Sequence, residues 1–257
     1  MDLTALTTWW QHMPAMMLVM ARVGALFVSA PLFGGVYIPA SVKALLTIAL
    51  ALVLAPHAAP HAIPLDLSFG LLLIRETLFG LSLGWLLSLY FEGVRMGGEL
   101  INRHAGFSAA ENFDPEADIG AGPMGDMLYS AVALLFLATD GHHVFLASMA
   151  RSFELVPLGT WTPPAELGQV VGRAFSDSWA IALALSFPVL SAIMAITLVE
   201  GIMTRAIPQI NVMHISFAIK IVLSLGVMYA GLPAMVAFLG TVIAAMQVMG
   251  GVFIGLH

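Results

Sequence analysis

Residues His104–Asp126 read HAGFSAAENFDPEADIGAGPMGD and separate two strongly apolar halves of the chain. This stretch completes a polar region that begins at Glu92, and no Lys or Arg lies between His104 and Asp126. The Asp-Pro pair at Asp114 and the Gly-Ala-Gly-Pro run at residues 120–123 oppose helix formation. The sequence therefore predicts a long, flexible acidic loop across this region, and we call residues 104–126 the central loop. Loops beyond about 12–15 residues are usually functional or disordered, so we expect the central loop to act at a pore or a partner surface.

The composition is that of a membrane protein. Of 257 residues, 60% are hydrophobic and 9% are charged, whereas a soluble domain has about half apolar and a quarter charged residues. The net charge of -6 and the lack of a basic cluster argue against a nucleic-acid partner. The chain contains no cysteine, which excludes disulfides and thiolate metal sites.

Apolar segments on both sides of the central loop predict helices. The longer ones can cross a hydrocarbon core of about 30 Å, although Pro188 and the Gly231–Pro233 run interrupt the last two. Gly80 and Gly84 have the small-xxx-small spacing of closely packed helices, and Gly93 and Gly97 repeat that spacing. The predicted segments are Met13–Phe33, Val42–Ala55, Leu67–Phe91, Met127–Thr139 continued by Val144–Ala150, Ser178–Met203 and Ile221–Met249.

Basic residues occupy unusual places in this sequence. Five of the nine Lys and Arg residues lie inside or at the edges of apolar segments, namely Arg22, Lys43, Arg75, Arg205 and Lys220. A charge at bilayer depth costs from about 3 to over 10 kcal/mol unless it faces protein or water. We therefore expect many of these helices to be buried against partner subunits. Alternatively, the charges pair inside a monomeric bundle, for example Arg75 with Glu200.

Patterns that suggest chemistry have simpler explanations here. Gly80–Gly84 fits the G-x-S-x-G motif of serine hydrolases, but that motif needs a strand before the serine, and this one lies in a helical apolar run. Asp140, His142 and His143 suggest a metal site, yet adjacent histidines on a helix point to different faces and no third ligand stands at a suitable spacing. No phosphate-binding G-x-x-x-x-G-K-[ST] motif occurs. The sequence predicts no catalytic residue, metal or cofactor.

Several short motifs recur in a particular order along the chain. The first set is Arg22, Gly24, Phe27, Pro31, Phe33, Pro39 and Lys43, followed by Gly106-Phe107 and Asp114-Pro115. The second set is Gly141-His142-His143, Ser152-Phe153, Pro157 and Gly159. The most specific piece is RAIPQINV at 205–212, with Phe217 and Lys220 following. In this order the motifs resemble the FliR and T-subunit family of type III secretion export gates, and the resemblance covers nearly the whole chain.

Some positions depart from the family pattern. Ser216-Phe217-Ala218 stands where Gly-Phe-Pro is common, and Met213-His214 replaces a more usual pair that contains an aromatic residue. Glu200 stands where a small or neutral polar residue is expected. These departures affect the expected local turn geometry rather than the assignment.

The resemblance implies a fold and a set of partners. The fold is all-α, with bent, proline-broken helical hairpins built into a multi-subunit export gate in the inner membrane at the flagellar basal body. Residues 1–170 would resemble a FliP-like subunit and residues 171–257 a FliQ-like hairpin. The implied partners are FliP and FliQ subunits, FlhB on the outside of the assembly, the lipid membrane, and unfolded flagellar proteins as substrates.

The resemblance also implies roles for particular residues in a structural, pore-forming protein that is not an enzyme. The central loop would contribute to the plug of the closed pore, through Gly106, Phe107, Phe113, Asp114, Pro115 and Met124. The polar residues around Pro208 would form an anchoring surface between subunits. The subunit-assembly residues are Arg22, Lys43, Arg205, Pro208, Gln209, Asn211 and Lys220.

Two other functions fit parts of the sequence. A secondary transporter could use Arg75, Glu76 and Glu200 in proline-broken segments to line a path for a small solute. Such a transporter should fold and bind solute alone, whereas a gate subunit should need its partners. An intramembrane protease would require a dyad of Ser82 with a histidine.

Overall fold

The computed structural model describes residues 3–34, 38–58, 68–107, 122–163, 167–206 and 212–254. These residues form seven α-helices and contain no β-strand, which confirms the all-α prediction. The helices are α1 Leu3–Ser29, α2 Ala40–Ala58, α3 Phe69–Ala105, α4 Pro123–Ala138, α5 Gly141–Leu155, α6 Leu167–Ala206 and α7 Val212–Ile254.

The chain divides into two compact units, each assembled from distant parts of the sequence. Unit 1 consists of Met1–Leu89, Asp140–Ala174 and Ala245–His257. Unit 2 consists of Tyr90–Thr139 and Phe175–Ala244.

Unit 1 is built on a close approach of α1 and the first half of α3. A Cβ atom added at Gly80 would collide with the carbonyl oxygen of Arg22, and one added at Gly84 would lie 2.9 Å from that of Leu26. These two glycines therefore form the predicted small-residue face. The buried side chains around this contact are Leu18, Val19, Val23, Leu26, Phe79 and Leu83, and each contributes about 1.5–3 kcal/mol by leaving water.

Unit 2 contains a similar close contact between helices, formed by the second half of α3. Gly93 and Gly97 lie against the backbone of α6, and a Cβ at Gly93 would lie 2.7 Å from the Ser178 carbonyl oxygen. Phe91 is buried and meets Phe136 of α4 edge-on, with ring centroids 5.7 Å apart. The two pairs of glycines predicted to bring helices together thus do so in different units.

The polar region that begins at Glu92 is not entirely a loop, so this part of the sequence prediction was wrong. Residues 92–105 continue α3, and α4 begins at Pro123. Helix formation prevails because the glycines at 93, 97 and 98 lie at packed contacts and because Glu99 pairs with Arg103 one turn later. Proline at the first position of α4 costs no hydrogen bond. Residues 108–121 of the central loop lie outside the described residues.

Two prolines predicted to interrupt the last apolar segments are instead accommodated within helices. Pro188 lies inside α6 and Pro233 inside α7. Each lacks an N–H and crowds the carbonyl four residues earlier. Helix continues on both sides of each proline, and both helices extend beyond the predicted segments at each end.

Within the described part of the chain, three helices are long and apolar enough to cross a membrane: α3, α6 and residues Ser216–Met246 of α7. A fourth span is possible if α4 and α5, bent at the short break between them, act together. Large apolar side chains of α6 and α7 are exposed, including Phe187 at 71% and Tyr229 at 82%. Such surfaces are typical of helices that face lipid or other subunits.

Candidate functional site

The start of α4 packs against α3 in unit 2. A Cβ atom at Gly98 of α3 would lie 2.5 Å from the carbonyl oxygen of Met124 and 2.7 Å from the Cα of Gly125. Only glycine allows the two helices to approach this closely. The C-terminal end of the central loop is therefore held against α3, about two turns before that helix ends.

Charged side chains fasten this junction. The Glu99 carboxylate accepts hydrogen bonds from the Gly122 N–H and from Arg103 Nε, both at 3.0 Å. Gly122 is the N-cap of α4 and has no side chain for capping, and its own N–H is satisfied by the Glu99 carboxylate, which also places a negative charge at the helix N-terminus. Arg95 Nη2 lies 3.1 Å from the Asp126 carboxylate. We call these contacts the loop clasp. Glu99 lies in the polar region that the sequence analysis predicted to be a loop, so its role was not foreseen, although the Glu99–Arg103 spacing was visible.

A buried asparagine lies next to the loop clasp. Asn102 is fully buried, and neither amide atom has a hydrogen-bond partner among the described residues. Its amide occupies the space that a side chain at residue 122 would need, so only glycine fits at that position. No pattern in the sequence indicated a role for this residue.

The residues predicted to form a plug lie in three kinds of place. Gly106 has φ +88°, a left-handed conformation that suits glycine, and its Cα lies close to the Phe217 ring. Phe107 is half-buried, whereas Met124 is 7% exposed and packs inside unit 2. Phe113, Asp114 and Pro115 lie outside the described residues.

Arg22 forms a buried ion pair in unit 1. Its Nε and Nη2 atoms lie 2.5 and 3.1 Å from the two carboxylate oxygens of Glu76. Nη1 donates to the Ser152 carbonyl at 3.2 Å and Nη2 to the Val156 carbonyl at 3.0 Å. The Gly159 N–H donates to Glu76 at 2.7 Å. The pair therefore joins α1, α3 and the segment that ends α5.

Two aromatic rings enclose the guanidinium group. Its central carbon lies 4.5 Å from the centroid of Phe79 and 4.4 Å from that of Phe153. Arg22 and Glu76 are 1% and 0% exposed. Cation–π attraction and charge-assisted hydrogen bonds offset part of the desolvation of the two charges. The structure thus places this predicted assembly residue in the interior, where it holds unit 1 together.

A second ion pair links α6 and α7 in unit 2. Lys220 Nζ lies 2.9 Å from the Glu200 carboxylate, and both side chains are mostly buried. Ser216 donates a hydrogen bond to the same carboxylate. Glu200, the departure from the family pattern, is thus the partner of Lys220. The cluster fastens α6 to α7. Residues 207–211, which include Pro208, Gln209 and Asn211, lie outside the described residues.

The other predicted residues have simpler surroundings. Arg205 is exposed in the last turn of α6, and Lys43 is half-buried in the first turn of α2. Arg75 donates to the Gly159 carbonyl at 3.3 Å. Glu76 and Glu200 were considered as residues of a transporter path. Glu76 pairs with Arg22. Glu200 pairs with Lys220 rather than with Arg75, the partner that the sequence suggested.

The G-x-S-x-G motif has the wrong backbone for a nucleophile elbow. Residues 80–84 lie in the middle of α3 with no strand before them, and Ser82 Oγ donates to the Phe79 carbonyl of its own helix at 2.9 Å. The protease alternative lacks the strand–turn–helix geometry that presents a nucleophilic serine. Helix packing explains the motif.

The prediction that His142 and His143 point apart was wrong. Their ring centroids are 4.1 Å apart, and potential ligand atoms of both residues and of Asp140 all lie within 4.8 Å of one another. Asp140 is the N-cap of α5 and is left-handed with φ +54°, whereas both histidines lie within the helix. The helical projection gives only the direction in which each side chain leaves the backbone, and the two rings come together beyond that point.

Comparison with known proteins confirms the resemblance seen in the sequence. Residues 13–246 match the family described as bacterial export proteins, family 1. The flagellar biosynthetic protein FliR of Pectobacterium carotovorum subsp. carotovorum is 30% identical over 212 residues, which cover 82% of this chain and 80% of the relative. FliR of Bacillus subtilis (strain 168) is 29% identical over 215 residues, covering 82% and 83%. FliR of Escherichia coli (strain K12) is 25% identical over 218 residues, covering 84% of each. The chain therefore belongs to family 1 of the bacterial export proteins, the FliR family.

Proposed function

We propose that this chain is a structural, pore-forming subunit of a type III export gate that exports flagellar proteins during flagellum assembly. The observation that carries the proposal is the family match over residues 13–246, which includes both units and the flanks of the central loop. The relatives are named for flagellar biosynthesis. The proposal assigns the chain no catalytic residue and no cofactor, because its role is to form a passage for unfolded proteins.

The proposed gate contains FliP and FliQ subunits, with FlhB on its outside, in the inner membrane at the flagellar basal body. Residues 1–170 would occupy a FliP-like position and residues 171–257 a FliQ-like position. The exposed apolar side chains of α6 and α7 support this proposal, since such surfaces need lipid or neighbouring subunits to cover them.

Two classes of assembly residue follow from where the side chains lie. Arg22 and Lys220 would act through the fold, because each is held by an ion pair inside its unit. Arg205 would contact a neighbouring subunit directly, because its side chain is exposed at the end of an apolar helix. Lys43 and the polar turn at residues 207–211 complete the proposed assembly set.

The native mass of the chain in detergent tests the proposed function. We expect the chain to be unstable alone and to enter one defined hetero-oligomer when it is produced together with FliP and FliQ subunits. Arg205→Ala should lower the yield of that hetero-oligomer, whereas Arg173→Ala, an exposed arginine earlier in the same helix, serves as the matched control. A stable monomer or homodimer that ignores both subunits would refute the gate assignment.

We also propose that the central loop contributes to the plug of the closed pore. The loop clasp supports this idea, because it fixes Gly122 and Asp126 of the loop to α3, the helix that precedes the loop. Phe107 and Phe113 would supply apolar contacts that exclude water, and Met124 would fix the base through its packing.

Removal of the plug should make the gate leak without dismantling it. Deletion of Phe107–Asp118 leaves the loop clasp in place, so we expect a normal yield of the hetero-oligomer and a raised ion conductance in lipid vesicles. A second variant, with residues 107–118 replaced by a Gly/Ser segment of equal length, should leak as well, because it closes the chain without apolar side chains. Tight vesicles from both fully assembled variants would contradict the plug assignment.

A further inference from the structure

Three potential metal ligands converge at the start of α5, away from the loop clasp and from both buried ion pairs in sequence. Among the residues that the structure describes, Asp140, His142 and His143 form the one group of three side chains whose ligand atoms lie within 4.8 Å of one another. The side chains of Asp140 and His143 are 75% and 71% exposed, so a solvated ion can reach them. No part of the proposed gate function uses these residues.

The backbone arranges this cluster. Asp140 adopts φ +54° and ψ +24°, a left-handed conformation that is uncommon for residues other than glycine, although Asp and Asn tolerate it best. The Asp140 carbonyl accepts the His143 N–H at 2.9 Å, and the Asp140 carboxylate lies 3.2 Å from His143 Nδ1. The turn thus places the carboxylate on the same side as the imidazole rings.

The distances suit a tetrahedral ion. Zinc bonds nitrogen and carboxylate oxygen at about 2.0–2.2 Å, which separates tetrahedral ligand atoms by about 3.3–3.5 Å. The contact between His143 and Asp140 already has nearly this length, and rotation of exposed side chains can bring the third ligand to it. Mg²⁺ and Ca²⁺ prefer oxygen ligands, so two imidazoles favour Zn²⁺ and related transition metals.

The protein leaves ligand capacity unused at this cluster. His142 Nδ1 is buried and has no hydrogen-bond partner among the described residues. The N-terminus of α5 carries partial positive charge that opposes a cation, but the Asp140 carboxylate compensates for it. We propose that Asp140, His142 and His143 bind one divalent transition-metal ion, Zn²⁺ fitting best, with its fourth position open to water. This site is independent of the proposed gate function.

Zinc binding to the full chain tests this proposal. The chain is purified with its gate subunits and a tag that lacks histidine, and Zn²⁺ is titrated by equilibrium dialysis. We expect one saturable site per chain that excess Mg²⁺ does not displace. Each ligand loss should weaken binding by at least about tenfold, since outer-shell changes alone cost about 10–100-fold.

The variants are chosen to preserve the fold. Asp140→Asn keeps a residue that tolerates the left-handed backbone and removes the charge, and His142→Ala and His143→Ala each remove one imidazole. His104→Ala is the matched control, because His104 is also exposed but lies at the end of α3. Cobalt bound in place of zinc should show visible absorption bands that all three ligand variants lose. Absent saturable binding, or equal affinity in the ligand variants and the control, would overturn the proposal.

Discussion

Glu76→Gln is expected to lower the free energy of unfolding by about 3–5 kcal/mol, a large part of the stability of an ordinary protein. The substitution keeps the shape of the side chain and removes its charge. The guanidinium of Arg22 would remain buried without a counter-charge, because Arg22 and residue 76 are 1% and 0% exposed. The aromatic rings of Phe79 and Phe153 cannot replace a carboxylate, since cation–π attraction contributes only about 0.5–2 kcal/mol.

Substitutions of Arg22 separate its charge from its geometry. Arg22→Lys keeps the charge but loses the planar fork that reaches Glu76 and the carbonyls of Ser152 and Val156 at once, so it should also destabilise strongly. The double variant Arg22→Met with Glu76→Met removes both charges. The double variant should lose less stability than the two single variants lose together, although the Gly159 N–H and two carbonyl groups then lose their hydrogen-bond partners.

Thermal denaturation and yield of the purified gate measure these effects. Arg103→Met is the control, because Arg103 belongs to an exposed pair with a side chain that is 71% exposed, and such pairs contribute about 0–1 kcal/mol. A Glu76→Gln chain as stable as the original, or a double variant as unstable as the two single changes combined, would show that the buried pair does not stabilise unit 1.

The helical architecture was predictable from the sequence because apolar runs and glycine spacing are local properties. Gly80 and Gly84 were assigned to helix packing from their spacing, and both lie against the backbone of α1. The partner of Arg22 was not predictable in this way. Arg22 and Glu76 are separated by 54 residues. No local sequence pattern indicates that Arg22 pairs with Glu76 rather than with a charged residue of another apolar segment.

Errors arose where tertiary contacts override local composition. Glu99 belongs to an acidic region interrupted by glycines, yet this region remains helical through residue 105 because those glycines pack against neighbouring helices. The side chains around Asp140 were expected to point apart for another reason. A regular helical projection separates adjacent histidines by about 100°, but it does not include the side-chain conformations that bring the two rings within 4.1 Å of each other.

Gly80→Ala is expected to destabilise the chain, although alanine favours helix over glycine by about 0.5–1 kcal/mol. The new Cβ would collide with the carbonyl oxygen of Arg22 and lie 3.1 Å from the Cβ of Ala25. A backbone carbonyl cannot rotate away as a side chain can, so α1 must move. Overpacking of this kind costs about 1–3 kcal/mol, and the movement would also displace Arg22 from Glu76.

Gly172→Ala provides a control of opposite sign. Gly172 lies inside α6, is exposed, and a Cβ there would meet nothing within 4 Å, so only the helix preference of alanine remains. We expect Gly172→Ala to raise the midpoint of thermal denaturation by about 2–4 °C, because 1 kcal/mol corresponds to that shift in a chain of this size. Gly80→Ala should lower the midpoint in the same gate preparation. If both substitutions raised the midpoint of thermal denaturation, the close approach of α1 and α3 would not constrain the fold. Some other contact would then have to place Arg22 against Glu76.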